Sequence, residues 1–225
     1  IEPRVPDREE VMDTFLTLSD IVGADSMGWR YDPILLNEKY TMEYHLKSFE
    51  HMATRLEGAT KTCVISFIDL YQKVRKNFPE VRSVPKEERL FLGKEMIRIA
   101  GEHGMTVRPC GEADELAIYG ADCGGCMTQN TYETALHTSL NFPKKQPLRK
   151  ECACFLGNDI GAYNTCPHLC RYCYANYDEQ TVHDNYVNHN PHSPFLIGNL
   201  HPEDVIHDAE QKSWVDGQMS LFDLF

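Results

Sequence analysis

The stretch Cys63-Val64-Ile65-Ser66-Phe67-Ile68 decides the fold class. A strand with one wet face alternates apolar and polar residues. A near-continuous apolar run like this one suits a strand covered on both faces, as in a parallel sheet. On either side of it the chain repeats helix, then strand. Upstream, Pro6-Asp7-Arg8-Glu9-Glu10 opens a helix with acidic residues in the first turn, where the macrodipole favours them. Val11, Phe15, Leu18 and Val22 give that helix an apolar face, and Gly23 ends it. A strand is predicted over 27–31, stopped by Asp32-Pro33. Thr41 caps a second helix with Tyr44, Phe49, Met52 and Leu56 on one side, closed by Gly58. Downstream, Pro85 precedes a third helix through Leu90, Met96, Ile97 and Ala100 to Gly104, and 105–108 is a third strand.

Three helix–strand repeats predict a parallel sheet of βα units. What stands at the strand ends is informative. The first ends in Arg30-Tyr31-Asp32, the second in Asp69-Leu70-Tyr71, the third in Cys110-Gly111-Glu112. Polar groups at the carboxyl ends of parallel strands mark the active face of a TIM-type barrel or an open α/β sheet. Each could equally cap a loop or helix; the three together favour a site. Past Glu112 the alternation weakens. Residues 131–138 and 178–185 read as short helices, 141–150 as a basic loop, and 151–176 as a loop-built metal site. The tail from Asn188 reads as irregular, and its histidines (His183 just before it, then His189, His192, His201 and His207) as surface residues. The division is a βα-repeat region over 1–150, a cysteine-rich segment over 151–187, and a tail over 188–225.

The chain has 225 residues, enough for one large domain or two small ones. A net charge of −12 argues against a broad basic footprint for duplex nucleic acid. The longest apolar runs are far too short to span a bilayer. The opening Ile1-Glu2-Pro3-Arg4 is not a signal peptide, and without an initiator Met it reads as the start of a fragment or a processed product.

Nine cysteines is an odd number in a chain with no secretory signal, so metal binding or catalysis is a better reading than a disulfide framework. It also predicts a reducing, cytoplasmic setting. Only Cys63, a core residue by its place in mid-strand, lies in the first hundred residues. The centre of the rest is Cys166-Pro167-His168-Leu169-Cys170-Arg171-Tyr172-Cys173, a C-x3-C-x2-C spacing. Three thiolates on one short loop can bind three irons of a cubane and leave the fourth open to a ligand. The other reading is zinc, with Cys123 and Cys126 joining Cys170 and Cys173 in a site with four cysteine ligands; the gap of about forty residues is long for a zinc ribbon. Cys152 and Cys154, with Cys110, Cys123 and Cys126, could hold a second iron–sulfur cluster or zinc, or be small buried hydrophobes.

The triad, with an aromatic residue just before its third cysteine, resembles the radical S-adenosylmethionine (SAM) superfamily. That resemblance implies a [4Fe–4S] cluster on Cys166, Cys170 and Cys173. Its open iron would chelate SAM, Tyr172 would lie near the adenine, and one electron would cleave SAM to a 5′-deoxyadenosyl radical. A wider resemblance rests on Trp29-Arg30-Tyr31-Asp32-Pro33-Ile34-Leu35-Leu36, on 63–69, on Cys152-Ala153-Cys154 with Asp159-Ile160-Gly161, on 166–176, and on Gln218-Met219-Ser220-Leu221-Phe222-Asp223. These are similar to the bacterial family called domain of unknown function 1848, in the C-terminal part of its members, which are regarded as radical SAM-like. The implied fold is a partial (β/α) TIM-type barrel with a C-terminal cysteine-rich iron–sulfur loop. Radical SAM enzymes mostly carry the triad near the N-terminus, and a circularly permuted barrel would account for its late position here.

The function expected is therefore a radical SAM-type iron–sulfur enzyme. Arg30, Asp32, Asp69 and Glu112 would line the barrel mouth and bind SAM or a small-molecule substrate. It would need a reducing electron donor of the flavodoxin or ferredoxin type, and neither nucleic acid nor membrane. The alternative is a non-enzymatic metal protein, either zinc-stabilised or an electron carrier.

Overall fold

The structure is a computed structural model that describes residues 1–142, 154, 161–208 and 212–217. The side chain of Asp7 accepts a hydrogen bond from the backbone N–H of Glu9 at 2.9 Å and so caps α1 (Arg8–Val22). Strand β1 (Trp29–Ile34) follows. Thr41 caps α2 (Met42–Arg55) by accepting from the N–H of Tyr44 at 3.1 Å. Then come β2 (Thr62–Phe67), α3 (Gln72–Asn77), α4 (Lys86–Glu102) and β3 (Thr106–Pro109). A capping box built on Thr128 starts α5 (Gln129–Leu136), and Asp178 caps α6 (Glu179–Val187).

The strands form one parallel sheet in the order β1-β2-β3. In register, Trp29, Cys63 and Val107 form one row, and Arg30, Val64 and Arg108 the next. Successive side chains point to opposite faces, so the two rows serve different layers. Trp29, Cys63, Ile65, Phe67 and Val107 enter the main core with Met12 of α1, Phe49 and Ala53 of α2, and Leu92, Met96 and Ile99 of α4. On the other face Val64 packs against Cys126 and Cys154.

The expected partial TIM-type barrel is not formed. The sheet is open, with β1 and β3 as its edges. Closing a barrel requires strand number, tilt and shear to bring the last strand beside the first, which takes about eight strands in the TIM case. Past β3, among the described residues, the chain makes loops, a 3₁₀ turn over Ala117–Tyr119 and short helices. Its only further pairing among them is an isolated antiparallel bridge between Leu140 and Val215. The cysteine loop at 166–173 contributes no strand either, so no permuted barrel is built from it.

Two local expectations also change. Asp32-Pro33 does not stop β1, which shifts register between Tyr31 and Ile34 and continues. An edge strand tolerates proline's missing N–H donor. Helix α1 is turned from its expected face: Met12 and Ser19 are buried, while Val11, Leu18 and Val22 are nearly half exposed. Met12 enters the core with Phe15 and Leu16 packed against it, and the Ser19 hydroxyl on the same face is satisfied by donating to the carbonyl of Ala59 at 2.7 Å. Among the described residues no helix is long and apolar enough to cross a membrane.

Candidate functional site

The triad occupies a loop whose ends are tied together by the flanking residues. The N–H of Asn164 donates to the Ala175 carbonyl at 3.1 Å, and Asn176 Nδ2 donates to the Cys166 carbonyl at 2.8 Å. Asn164 and Leu169 take positive φ values of 59° and 55°, which turn the chain tightly enough to gather the cysteines. Cys166 is exposed, while Cys170 and Cys173 are half-buried. Burial pushes the Cys170 thiol up against a hydrogen bond with Tyr172, and Glu2, Cys166 and Cys173 push the same way as burial. The N–H of Ala175 reaches Cys173 Sγ at 3.4 Å. Lys73, from α3, lies in electrostatic range of Cys173 and donates to the Tyr174 carbonyl at 2.7 Å. Sequence reasoning missed Lys73 because α3 is six residues long and too short for an apolar period.

Tyr172 turns inward from this loop. Its hydroxyl donates to the carboxylate of Glu2, and its ring packs against the main core. It lines a cleft of about 940 Å³ together with Arg30, Tyr31, Asp32, Tyr44 and His45. Arg30 and Asp32 stand two apart on β1 and pair through two hydrogen bonds, Nη2 to Oδ2 at 2.6 Å and Nε to Oδ1 at 3.3 Å. Burial works against the Arg30 charge, but Asp32 and Cys110 outweigh it and raise the pKa. His45 Nε2 contacts the Leu35 carbonyl at 2.7 Å. A carbonyl only accepts, so Nε2 carries the proton, and in the neutral ring Nδ1 accepts from Tyr31 Oη at 2.8 Å.

Asp69 and Glu112 do not join Arg30 and Asp32. They line a separate hollow of about 450 Å³ with Tyr71 and Arg89. Glu112 accepts from the Phe67 N–H at 2.8 Å and from Arg89 Nη1 at 3.1 Å. Burial pushes the Glu112 carboxyl up, opposed by those two donors. Its bonding is that of a strut between β2 and α4. Tyr71 meets Tyr174 with ring centroids 5.9 Å apart, so the triad loop borders this hollow as well as the larger cleft.

A second group of sulfurs lies on the other face of the sheet. Cys110 extends β3, its N–H donating to the Ile65 carbonyl at 2.9 Å. Cys126 Sγ is 3.1 Å from Cys154 Sγ, and Cys110 is close enough to share a hydrogen bond with Cys126. That bond, burial and Cys154 together push the Cys126 thiol up. Arg30 Nη1 is 4.0 Å from Cys126 Sγ, and the N–H of Met127 donates to Cys154 Sγ at 3.4 Å. Cys123 stays outside the group; burial, Asp114 and Asp122 set its environment. Cys152 lies outside the described residues, as do Asp159, Ile160, most of the 141–150 loop and 218–225. The sulfur neighbours of Cys126 are Cys110 and Cys154, and those of Cys170 are Cys166 and Cys173, so the two halves of the four-cysteine zinc arrangement lie in different groups. Cys63 is fully buried in the main core.

Among the described residues, no three His, Cys, Asp or Glu side chains stand ready-made around one metal ion. A cubane asks for something else, because each of its thiolates binds a different iron and the three need not converge on one point. The triad loop meets that chemistry with three soft donors and an N–H directed at Cys173, with a lysine close by.

Fold and site together define an α/β protein with an open parallel sheet, one thiol-rich loop beside a cleft and a second thiol group under the sheet. The chain belongs to the family described as Domain of unknown function (DUF1848), whose model matches residues 1–175. No curated protein and no solved structure matches it.

Proposed function

We propose that this chain is a radical SAM-type iron–sulfur enzyme acting on a small molecule. The observation that carries the reading is Tyr172. It sits between two cysteines of the triad and also lines the cleft that presents Arg30 and Asp32. A cleft of about 940 Å³ is in the range that holds a cofactor and a small substrate together. Cys166, Cys170 and Cys173 would hold a [4Fe–4S] cluster, which supplies one-electron reduction of a sulfonium and, from it, hydrogen-atom abstraction. The protein's part is binding and shielding. Arg30 brings positive charge to a carboxylate in the cleft, its guanidinium held by Asp32, which accepts from Nε and Nη2. Asp32 accepts from an amino group or hydroxyl. Tyr31, Tyr44 and the ring of Tyr172 supply an aromatic wall for a purine and exclude water. The electron would come from a flavodoxin- or ferredoxin-type donor in the cytoplasm, at the exposed Cys166 end of the loop.

The test is anaerobic reconstitution with iron and sulfide, followed by electron paramagnetic resonance of the reduced protein with and without SAM. A [4Fe–4S]⁺ signal that changes on adding SAM and is lost in Cys166→Ala supports the enzyme. A signal indifferent to SAM favours an electron carrier. Stoichiometric zinc with no cluster would sink both.

A further inference from the structure

Three sulfurs from distant parts of the chain meet over Val64: Cys110 at the end of β3, Cys126 in the following loop, and Cys154. Cys126 and Cys154 are 9% and 5% exposed. Space-filling alone does not explain the group, because a thiol is a weak hydrogen-bonding partner and an aliphatic side chain fills the same room. Hydrogen-bond donors face the sulfurs. Met127 directs its N–H at Cys154 Sγ, and the Arg30 guanidinium stands against Cys126 and Cys110. Adjacent thiolates repel, so three can coexist out of water only around a cation.

We propose that Cys110, Cys126 and Cys154 form a second metal site, which takes a single thiophilic divalent ion of the zinc class. The sulfur spacing favours one ion over a cluster. Two thiolates on one tetrahedral zinc, each at about 2.3 Å, stand roughly 3.8 Å apart. Thiolates on different irons of a cubane stand much farther apart. Cys126 and Cys154, at 3.1 Å, are within about 1 Å of the zinc spacing. The sulfurs are not already disposed around an ion, so binding must spread that pair slightly and draw Cys110 to it. A dication with three thiolates carries one net negative charge, and the Arg30 guanidinium, which it shares with Asp32, faces that charge. This site does not use the triad and does not depend on the proposed reaction.

The experiment uses the full chain with Cys166→Ala, Cys170→Ala and Cys173→Ala, so that the first site cannot contribute. Anaerobic titration with Co²⁺ should give one equivalent with thiolate-to-cobalt charge-transfer absorption. That absorption should be lost in Cys126→Ser and Cys154→Ser and kept in Cys123→Ser. Arg30→Ala should weaken Co²⁺ binding about tenfold or more, as removal of an outer-shell partner does. Where a serine variant fails to fold, alkylation mapping of the parent triple variant decides instead: Zn²⁺ should protect Cys110, Cys126 and Cys154, and a chelator should release them. No charge-transfer band, a band unmoved by Cys126→Ser and Cys154→Ser, or absence of Zn²⁺ protection overturns the proposal. So does recovery of a Cys126–Cys154 disulfide from anaerobically prepared protein.

Discussion

The Tyr172 hydroxyl donates to the carboxylate of Glu2, joining residues 170 positions apart. A second tie runs alongside, from the N–H of Arg171 to the carbonyl of Ile1 at 2.9 Å. The cysteine loop is therefore moored to the segment before α1, and the mooring forms one wall of the large cleft. Tyr172→Phe removes the hydroxyl and keeps the ring. It should cost about 1 kcal/mol of stability. Amide exchange should quicken over 164–176 and stay unchanged in β2 and β3. Uniform acceleration across the sheet would mean that the loop is not a separate unit.

Glu112 links the end of β2 to α4. Glu112→Ala leaves the Phe67 N–H without its acceptor and Arg89 without its carboxylate. The expected loss is about 1–3 kcal/mol in urea unfolding. Glu112→Gln restores an acceptor for the N–H but not the charge, and should fall between. An alanine variant as stable as the parent would return Glu112 to the role of a ligand group in its hollow.

The parts of this fold that were legible in the sequence are local. Residues 63–68 announce a doubly covered strand, Thr41 announces the start of α2, and the triad is a spacing on one loop. What was misread depends on distant partners. Three βα repeats look alike whether a barrel closes or not, because closure is set by strand number and shear, which no single repeat records. The buried Ser19 hydroxyl finds its acceptor in the Ala59 carbonyl, forty positions away. Arg30 and Asp32 share a cleft and Asp69 and Glu112 another, although all four stand at strand ends and read alike. Cys126 meets Cys110 rather than Cys123, its neighbour in a C-x2-C pattern, because Cys110 continues the β3 ladder over the same sheet face.

Thiol reactivity should follow this placement. The thiolate is the nucleophile, so a buried thiol with a raised pKa reacts slowly. Burial holds the Cys63 thiol well above its ordinary range, and Cys110 together with burial pushes Cys126 up. In metal-free protein, iodoacetamide should modify the exposed Cys166 first, and Cys63 last, with Cys126 slow. Time-resolved peptide mapping reads the order directly. Alkylation of Cys126 as early as Cys166 would show that the second sulfur group opens to solvent.

Two histidines should give stability opposite dependences on pH. His103 follows α4 and faces carboxylates of the α2 segment, with Glu57 at 2.8 Å and Glu50 at 3.3 Å. The Glu57 bond, helped by Glu50 and opposed by burial, raises its pKa. A raised folded value means that the stabilisation is fully present below the unfolded value of about 6.5 and is lost as pH rises through the folded one. His45 behaves in the opposite sense. Burial lowers its pKa, against the bond to the Leu35 carbonyl. Its contribution is present above about 6.5 and is lost as pH falls through the lowered folded value. His103→Ala should therefore destabilise the protein at about pH 5 and have little effect by about pH 9. His45→Gln, which can still donate to Leu35 and accept from Tyr31, should make the fold less sensitive to acid. Urea midpoints for parent and both variants across that range decide the matter. If both substitutions changed the pH profile in the same direction, the assignment of a charged His103 and a neutral His45 would be wrong.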